Sequence, residues 1–84
     1  MNIIELKTGI IEGMAKLVID DLKDNEYEGT PFESMAVIES LNFSAEFYKN
    51  WFLEKKNDFN LSQKEIDDII ADCIVKTRNV FLEH

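Results

Sequence analysis

Apolar side chains in residues 2–23 recur at spacings of three, four and seven positions. This is the period of an α-helix that buries one face, so the pattern predicts a first helix here. Gly9 and Gly13 oppose it, since each costs about 1 kcal/mol relative to alanine inside a helix. They indicate either a close approach to a neighbouring helix or a break near Gly9, and we expect the continuous helix. The predicted buried positions are Ile3, Ile4, Leu6, Ile10, Ile11, Met14, Leu17, Val18 and Leu22.

Residues 24–30 lack an apolar period and end in turn-forming residue types, so the chain is expected to reverse there. The segment Thr30–Glu33 combines a threonine cap, a proline in the first turn and a glutamate that can close a capping box. It predicts the start of a second helix over residues 31–56, or of two helices separated by a break at residues 42–44. The predicted buried positions are Ser34, Met35, Ile38, Leu41, Ala45, Tyr48 and Phe52.

The third helix has the best-defined start in the chain. Ser62 and Glu65 have the spacing of a capping box, and Leu61 and Ile66 that of a hydrophobic staple, so the helix should begin at Gln63. Its predicted apolar face consists of Ile66, Ile69, Ile70, Cys73, Ile74, Thr77, Val80 and Phe81.

Three helical segments with short connections predict an all-α fold. We expect a small antiparallel three-helix bundle with a long middle helix, or four helices if the middle one is broken near Asn42. Residues 1–81 should form a single helical domain. Residues 82–84, Leu-Glu-His, resemble the start of a polyhistidine expression tag.

Charge and hydropathy narrow the possible partners. The net charge of −8 opposes binding to nucleic acid and to anionic membranes. No stretch approaches 18 uncharged apolar residues, so we expect a cytoplasmic protein without a membrane segment. Its richness in Ile, Lys, Asn and Asp is typical of a bacterial or phage source.

Candidate catalytic and metal-binding groups are few. The only histidine is His84, and Cys73 lies in the middle of a predicted core face, which disfavours nucleophilic catalysis and zinc binding. Residues 24–29 carry acids at positions one, three and five and glycine at six, as in a calcium loop, but position twelve is Met35 and position eight is Pro31. We therefore expect no enzyme, no cofactor, no metal and no small-molecule substrate.

Two features could carry function. Phe43, Phe47 and Trp51 form a second stripe on the middle helix at i, i+4 and i+8, beside the predicted core face. Either the other two helices enclose the middle one, or this stripe meets another chain, because aromatic residues are enriched in interface hot spots. The second feature is an acidic surface formed by Asp20, Asp21, Asp24, Glu26 and Glu28.

These features lead to two hypotheses about function. The first is a non-catalytic protein–protein interaction module that uses Phe43, Phe47 and Trp51, with a homodimer at micromolar concentration as the leading expectation and another protein as the alternative partner. The second is a small acidic inhibitor that mimics nucleic acid and blocks a nucleic-acid-binding protein. A solvated, solubilising surface is the default interpretation of the acids.

Overall fold

The computed structural model describes residues 2–82, without the side chains of residues 56 and 57. This part of the chain is all-helical and contains α1 (Ile3–Asp24), α2 (Glu33–Phe59) and α3 (Gln63–Leu82). The three helices pack together, and each contacts the other two. Within residues 2–82, none of the helices combines the length and apolar character that crossing a membrane requires.

Helix α1 is continuous through both of its glycines. Asn2 caps it, with its Oδ1 accepting a hydrogen bond of 2.8 Å from the backbone N–H of Glu5. A methyl group on Gly13 would overlap the hydroxyl of Tyr48 on α2, whereas one on Gly9 would meet nothing within 4 Å. Gly13 therefore marks the close helix approach that the sequence indicates, and the alternative of a break near Gly9 is wrong.

Helix α2 begins at Glu33, two residues later than predicted. The hydroxyl of Thr30 accepts a hydrogen bond from the N–H of Phe32 at 3.3 Å and donates one of 2.7 Å to the carbonyl of Tyr27. The Glu33 carboxylate accepts from the N–H of Gly29 at 3.0 Å, one residue before the position that a capping box requires. The threonine and the glutamate thus hold a turn in front of the helix.

Helix α2 then runs without interruption through residues 42–44 and ends at Phe59, three residues beyond the predicted end. The hydroxyl of Ser44, which could have capped a separate segment, instead donates a hydrogen bond of 2.9 Å to the carbonyl of Ser40 inside the protein. This i to i−4 bond satisfies a buried hydroxyl within a continuous helix.

The predicted buried face of α2 is partly wrong. Met35 is 61% exposed and Ile38 is 47% exposed, and Ser34 is also at the surface. Small side chains, among them Ala36, Ser40 and Ser44, are buried in the interior instead. The buried residues of α2 are Ala36, Val37, Ser40, Leu41, Ser44 and Phe52, with Ala45 and Tyr48 partly buried.

The start of α3 confirms the predicted capping box. The N–H of Glu65 donates to the hydroxyl of Ser62 at 3.2 Å, and the N–H of Ser62 donates to the carboxylate of Glu65 at 3.0 Å. These two bonds satisfy backbone N–H groups that the first turn of a helix leaves without intrahelical partners. Hydrogen bonding of the Glu65 carboxylate to the backbone N–H of Ser62, and secondarily to its hydroxyl, lowers the pKa of the Glu65 carboxyl below its ordinary value.

One hydrophobic core joins the three helices. The predicted faces of α1 and α3 supply most of it, with corrections at Ile3, Ile4 and Val80, which are exposed in the terminal turns of their helices. Leu82 packs against this core, and residues 83 and 84 of the suspected tag lie outside the described residues. The buried apolar residues are Leu6, Ile10, Met14, Val18, Leu22, Ala36, Val37, Leu41, Phe52, Ile66, Ile69, Ile70 and Cys73.

Candidate docking face

The three aromatic residues singled out from the sequence lie on α2 at different depths. Phe43 is 65% exposed and Phe47 is 49% exposed. Trp51 is half-buried against the core, with its ring centroid 5.0 Å from that of Phe52 and 5.3 Å from that of Phe59. The stripe therefore begins at the surface and ends in the core. We call Phe43, Phe47 and Trp51 the aromatic face.

An apolar groove between α1 and the second half of α2 follows from this arrangement. It encloses about 360 Å³, and Phe47 and Trp51 form part of its wall. The ring of Phe47 meets that of Tyr48 edge-on at 5.1 Å between centroids, an arrangement that aromatic pairs prefer. Because Gly9 lacks a side chain, the α1 side of the groove stays open. The lining residues are Glu5, Leu6, Gly9, Ile10, Phe47, Tyr48, Trp51 and Phe59.

A second groove between α1 and α2 is acidic. It encloses about 390 Å³, and Phe43 contributes an exposed ring to its wall. Phe43 and Phe47 are one helical turn apart, so the acidic groove and the apolar groove follow one another along the seam between the two helices. The residues lining the acidic groove are Leu17, Asp20, Asp21, Asp24, Glu39, Ser40 and Phe43.

The predicted acidic surface is thus divided by the fold. Asp20, Asp21 and Asp24 line the acidic groove, while Glu26 and Glu28 lie in the exposed connection between α1 and α2 and do not. Glu39, from α2, was not singled out from the sequence. It becomes part of the acidic groove only because α2 packs beside the end of α1.

Sequence reasoning also missed two exposed apolar residues of the same side. Phe32 and Met35 are each 61% exposed, and with Tyr27, Ala36 and Glu39 they line a third groove of about 280 Å³. Positions 32, 35, 39, 43 and 47 follow each other at spacings of three and four, the helical period that could have identified them. The helical period instead groups Met35 with the positions predicted to be buried.

Further ionisable groups have shifted pKa values or form ion pairs, and one of these ion pairs joins α1 to α3. Lys7 and Lys76 both donate to the Asp72 carboxylate at 3.0 Å, which lowers the pKa of Asp72. Cys73 is buried, as predicted, and its burial, together with the charge of Asp72, raises the pKa of its thiol. Burial likewise raises the pKa of Tyr48. Such a thiol is protonated at neutral pH and is a poor nucleophile.

Groups that could hold a metal ion are also sparse in the described part of the chain. Among residues 2–82, no three side chains of the histidine, cysteine, aspartate and glutamate types are grouped so that they could bind a metal. The carboxylates of the acidic groove lie along a surface rather than around a point.

Comparison with known proteins adds no family assignment. No protein-family model matches the chain, and no curated protein or solved structure matches it. Any function must be argued from the residues of this chain.

Proposed function

We propose that this protein is a non-catalytic interaction module that docks another polypeptide on the aromatic face of α2. The observation that carries the proposal is the exposure of Phe43 and Phe47 on a helix that buries or partly buries its other large rings. Exposed phenylalanine rings next to a groove supply the apolar anchors from which interface hot spots are built. The occupant is either a second copy of the chain or a different protein.

The two grooves support the proposal by their shape. Together they run along the seam between α1 and α2. The ring of Phe43 lines the acidic groove, and the ring of Phe47 lines the apolar groove. A helix in a groove is a common mode of peptide recognition and is read through anchors at i, i+3, i+4 and i+7. Those anchors belong to the docked helix, and Phe43 and Phe47, one turn apart on α2, offer apolar contacts to two of them in succession.

We further infer that α1 and α2 run antiparallel. The support comes from what each groove brings together: Gly9, near the start of α1, lies beside Trp51 and Phe59, whereas Asp24, at the end of α1, lies beside Glu39. In this arrangement the seam between α1 and α2 extends along most of the molecule, which has a longest dimension of 42 Å.

Self-association through the aromatic face is tested by light scattering combined with the fluorescence of Trp51, the single tryptophan of the chain. If the occupant is a second copy, the mass should rise towards that of a dimer between about 1 and 200 μM. The emission should shift to the blue in parallel, because a docked copy covers Trp51. Added salt should strengthen this dimer, since screening weakens repulsion between two chains of net charge −8.

Two matched variants locate the surface. Phe47→Asp should abolish both the mass increase and the emission shift. Leu53→Asp should change neither, because Leu53 is 58% exposed on the same helix but lines neither groove. Association that survives Phe47→Asp, or that Leu53→Asp disrupts equally, would contradict docking by the aromatic face.

The alternative function, an acidic inhibitor of a nucleic-acid-binding protein, is supported by the three aspartates that α1 contributes to the acidic groove. It predicts partner binding that weakens steeply between about 50 and 300 mM salt and is indifferent to Phe43 and Phe47. The exposed rings beside these aspartates favour the docking module.

A further inference from the structure

The acidic groove has four carboxylates and no basic side chain in its lining. Asp20, Asp21 and Asp24 come from α1, and Glu39 comes from α2. None of them forms an ion pair with a lysine or arginine among the side chains that the structure describes. The Asp21 carboxylate accepts a hydrogen bond of 3.0 Å from the side-chain amide of Asn25, which leaves its charge uncompensated. The groove is therefore a concentrated negative surface.

An apolar track runs beside these carboxylates. Met35, Phe43 and Phe47 are exposed on the same side of α2, with Glu39 between the first two. At about 1.5 Å per residue, the distance from Met35 to Phe47 along the helix axis is roughly 18 Å. This is the length of about three turns of a docked helix. The surface thus pairs apolar anchors with a row of acids at one edge.

A second copy of the chain is a poor match for this surface. Symmetric pairing uses the same patch on both copies, so an interface centred on Phe43 would bring both acidic grooves to one contact. Like charges placed face to face across an interface disfavour association. Each copy also carries a net charge of −8. Charge complementarity favours an occupant with the opposite sign.

We propose that the occupant is a basic amphipathic helix of another protein, with apolar residues that pack on Phe43 and Phe47 and with lysines or arginines that face the acidic groove. This proposal rests on the docking function above and specifies its partner. Apolar anchors supply the binding energy, and the basic flank sets the orientation of the helix and speeds its association.

The test uses a panel of synthetic helical peptides of about 18 residues, titrated into the intact chain and followed by the emission of Trp51 and by calorimetry. Each peptide has leucine or phenylalanine at every third or fourth position and lysine and arginine on its flanks, in all registers. Each has a counterpart in which glutamate replaces every basic residue. We expect the basic peptides to bind, and to bind more weakly as salt rises. Their acidic counterparts should show no measurable affinity.

Two pairs of variants connect the binding to the surface. Asp20→Asn with Asp24→Asn should weaken the basic peptide by about three- to tenfold, in line with two exposed ion pairs. Asp67→Asn with Asp68→Asn removes the same charge from α3 and should leave the affinity unchanged. Phe43→Ser should weaken binding, whereas Leu53→Ser should not.

The outcomes separate this proposal from the docking function. Basic peptides that bind no better than their acidic counterparts overturn the basic partner, and a dimer that strengthens with salt and is lost with Phe47→Asp would then identify a second copy as the occupant. The docking function itself is overturned if the chain is monomeric at all concentrations tested and if neither Phe43→Ser nor Phe47→Asp changes its affinity for the peptides.

Discussion

Phe52 and Phe43 lie on the same helix, yet one is fully buried and the other is 65% exposed. Nine positions separate them, and at about 100° per residue this places them on opposite sides of α2. Around Phe52, the rings of Trp51 and Phe59 pack at centroid distances of 5.0 and 5.7 Å. Around Phe43 there is a groove lined by carboxylates. Helix α2 thus carries rings that pack in the core and, on its other side, the exposed rings of Phe43 and Phe47.

The largest effect expected from this contrast is on stability. Phe52→Ala should lower the free energy of unfolding by about 3–5 kcal/mol, because it leaves a cavity at the centre of the three helices. Urea denaturation followed by circular dichroism measures the loss. Where the alanine variant is already unfolded in water, Phe52→Leu gives a smaller loss that is measurable. A loss below about 1 kcal/mol for either variant would remove the distinction between the two sets of rings.

The two glycines of α1 provide a similar contrast between a packed position, Gly13, and an open one, Gly9. Gly13→Ala should lower the free energy of unfolding by about 1–3 kcal/mol, because the added methyl group displaces Tyr48, a neighbour of the buried rings. Gly9→Ala should raise it by up to about 1 kcal/mol, because open space surrounds Gly9 and alanine favours the helix. Thermal and urea unfolding of both variants provide the comparison. Equal effects of the two substitutions would show that the close approach of Tyr48 to Gly13 contributes nothing to stability.

Features that depend on neighbours in sequence were predictable. The capping box of Ser62 and Glu65 needs only a spacing of three residues, and it forms as expected. The core faces of α1 and α3 were predictable for the same reason, since large aliphatic residues recur there at the helical period. Their terminal turns were not, because a period gives the side of a helix and says nothing about where its neighbours end.

Helix α2 could be predicted less well because its interior contains small and polar side chains. Hydropathy placed Met35 and Ile38 inside, whereas the packing of α2 buries Ser40 and Ser44. A buried serine is compatible with the core when its hydroxyl bonds to the preceding turn of its own helix, as Ser44 does. Which small residues become contacts depends on the partner helices, and the sequence of α2 alone does not contain that information.

The candidate site was also predictable only in part. The exposed rings Phe43 and Phe47 could be named from their spacing, and the aspartates of α1 from their charge. The meeting of Phe43, Glu39 and the aspartates in one groove is a tertiary property, because it requires α2 to pack beside the end of α1. The sequence therefore identified the chemical character of the surface but not its assembly.

The measurement that tests the central claim most directly is a paired one on Phe43→Ser: the free energy of unfolding and the affinity for a basic amphipathic peptide. If Phe43 serves docking, the free energy of unfolding of the Phe43→Ser variant should lie within about 0.5 kcal/mol of that of the unmodified chain, as for other exposed substitutions. The affinity of the variant for the peptide should fall by about tenfold or more. A variant that loses stability as Phe52→Ala does, or that binds the peptide as well as the unmodified chain, would contradict the account.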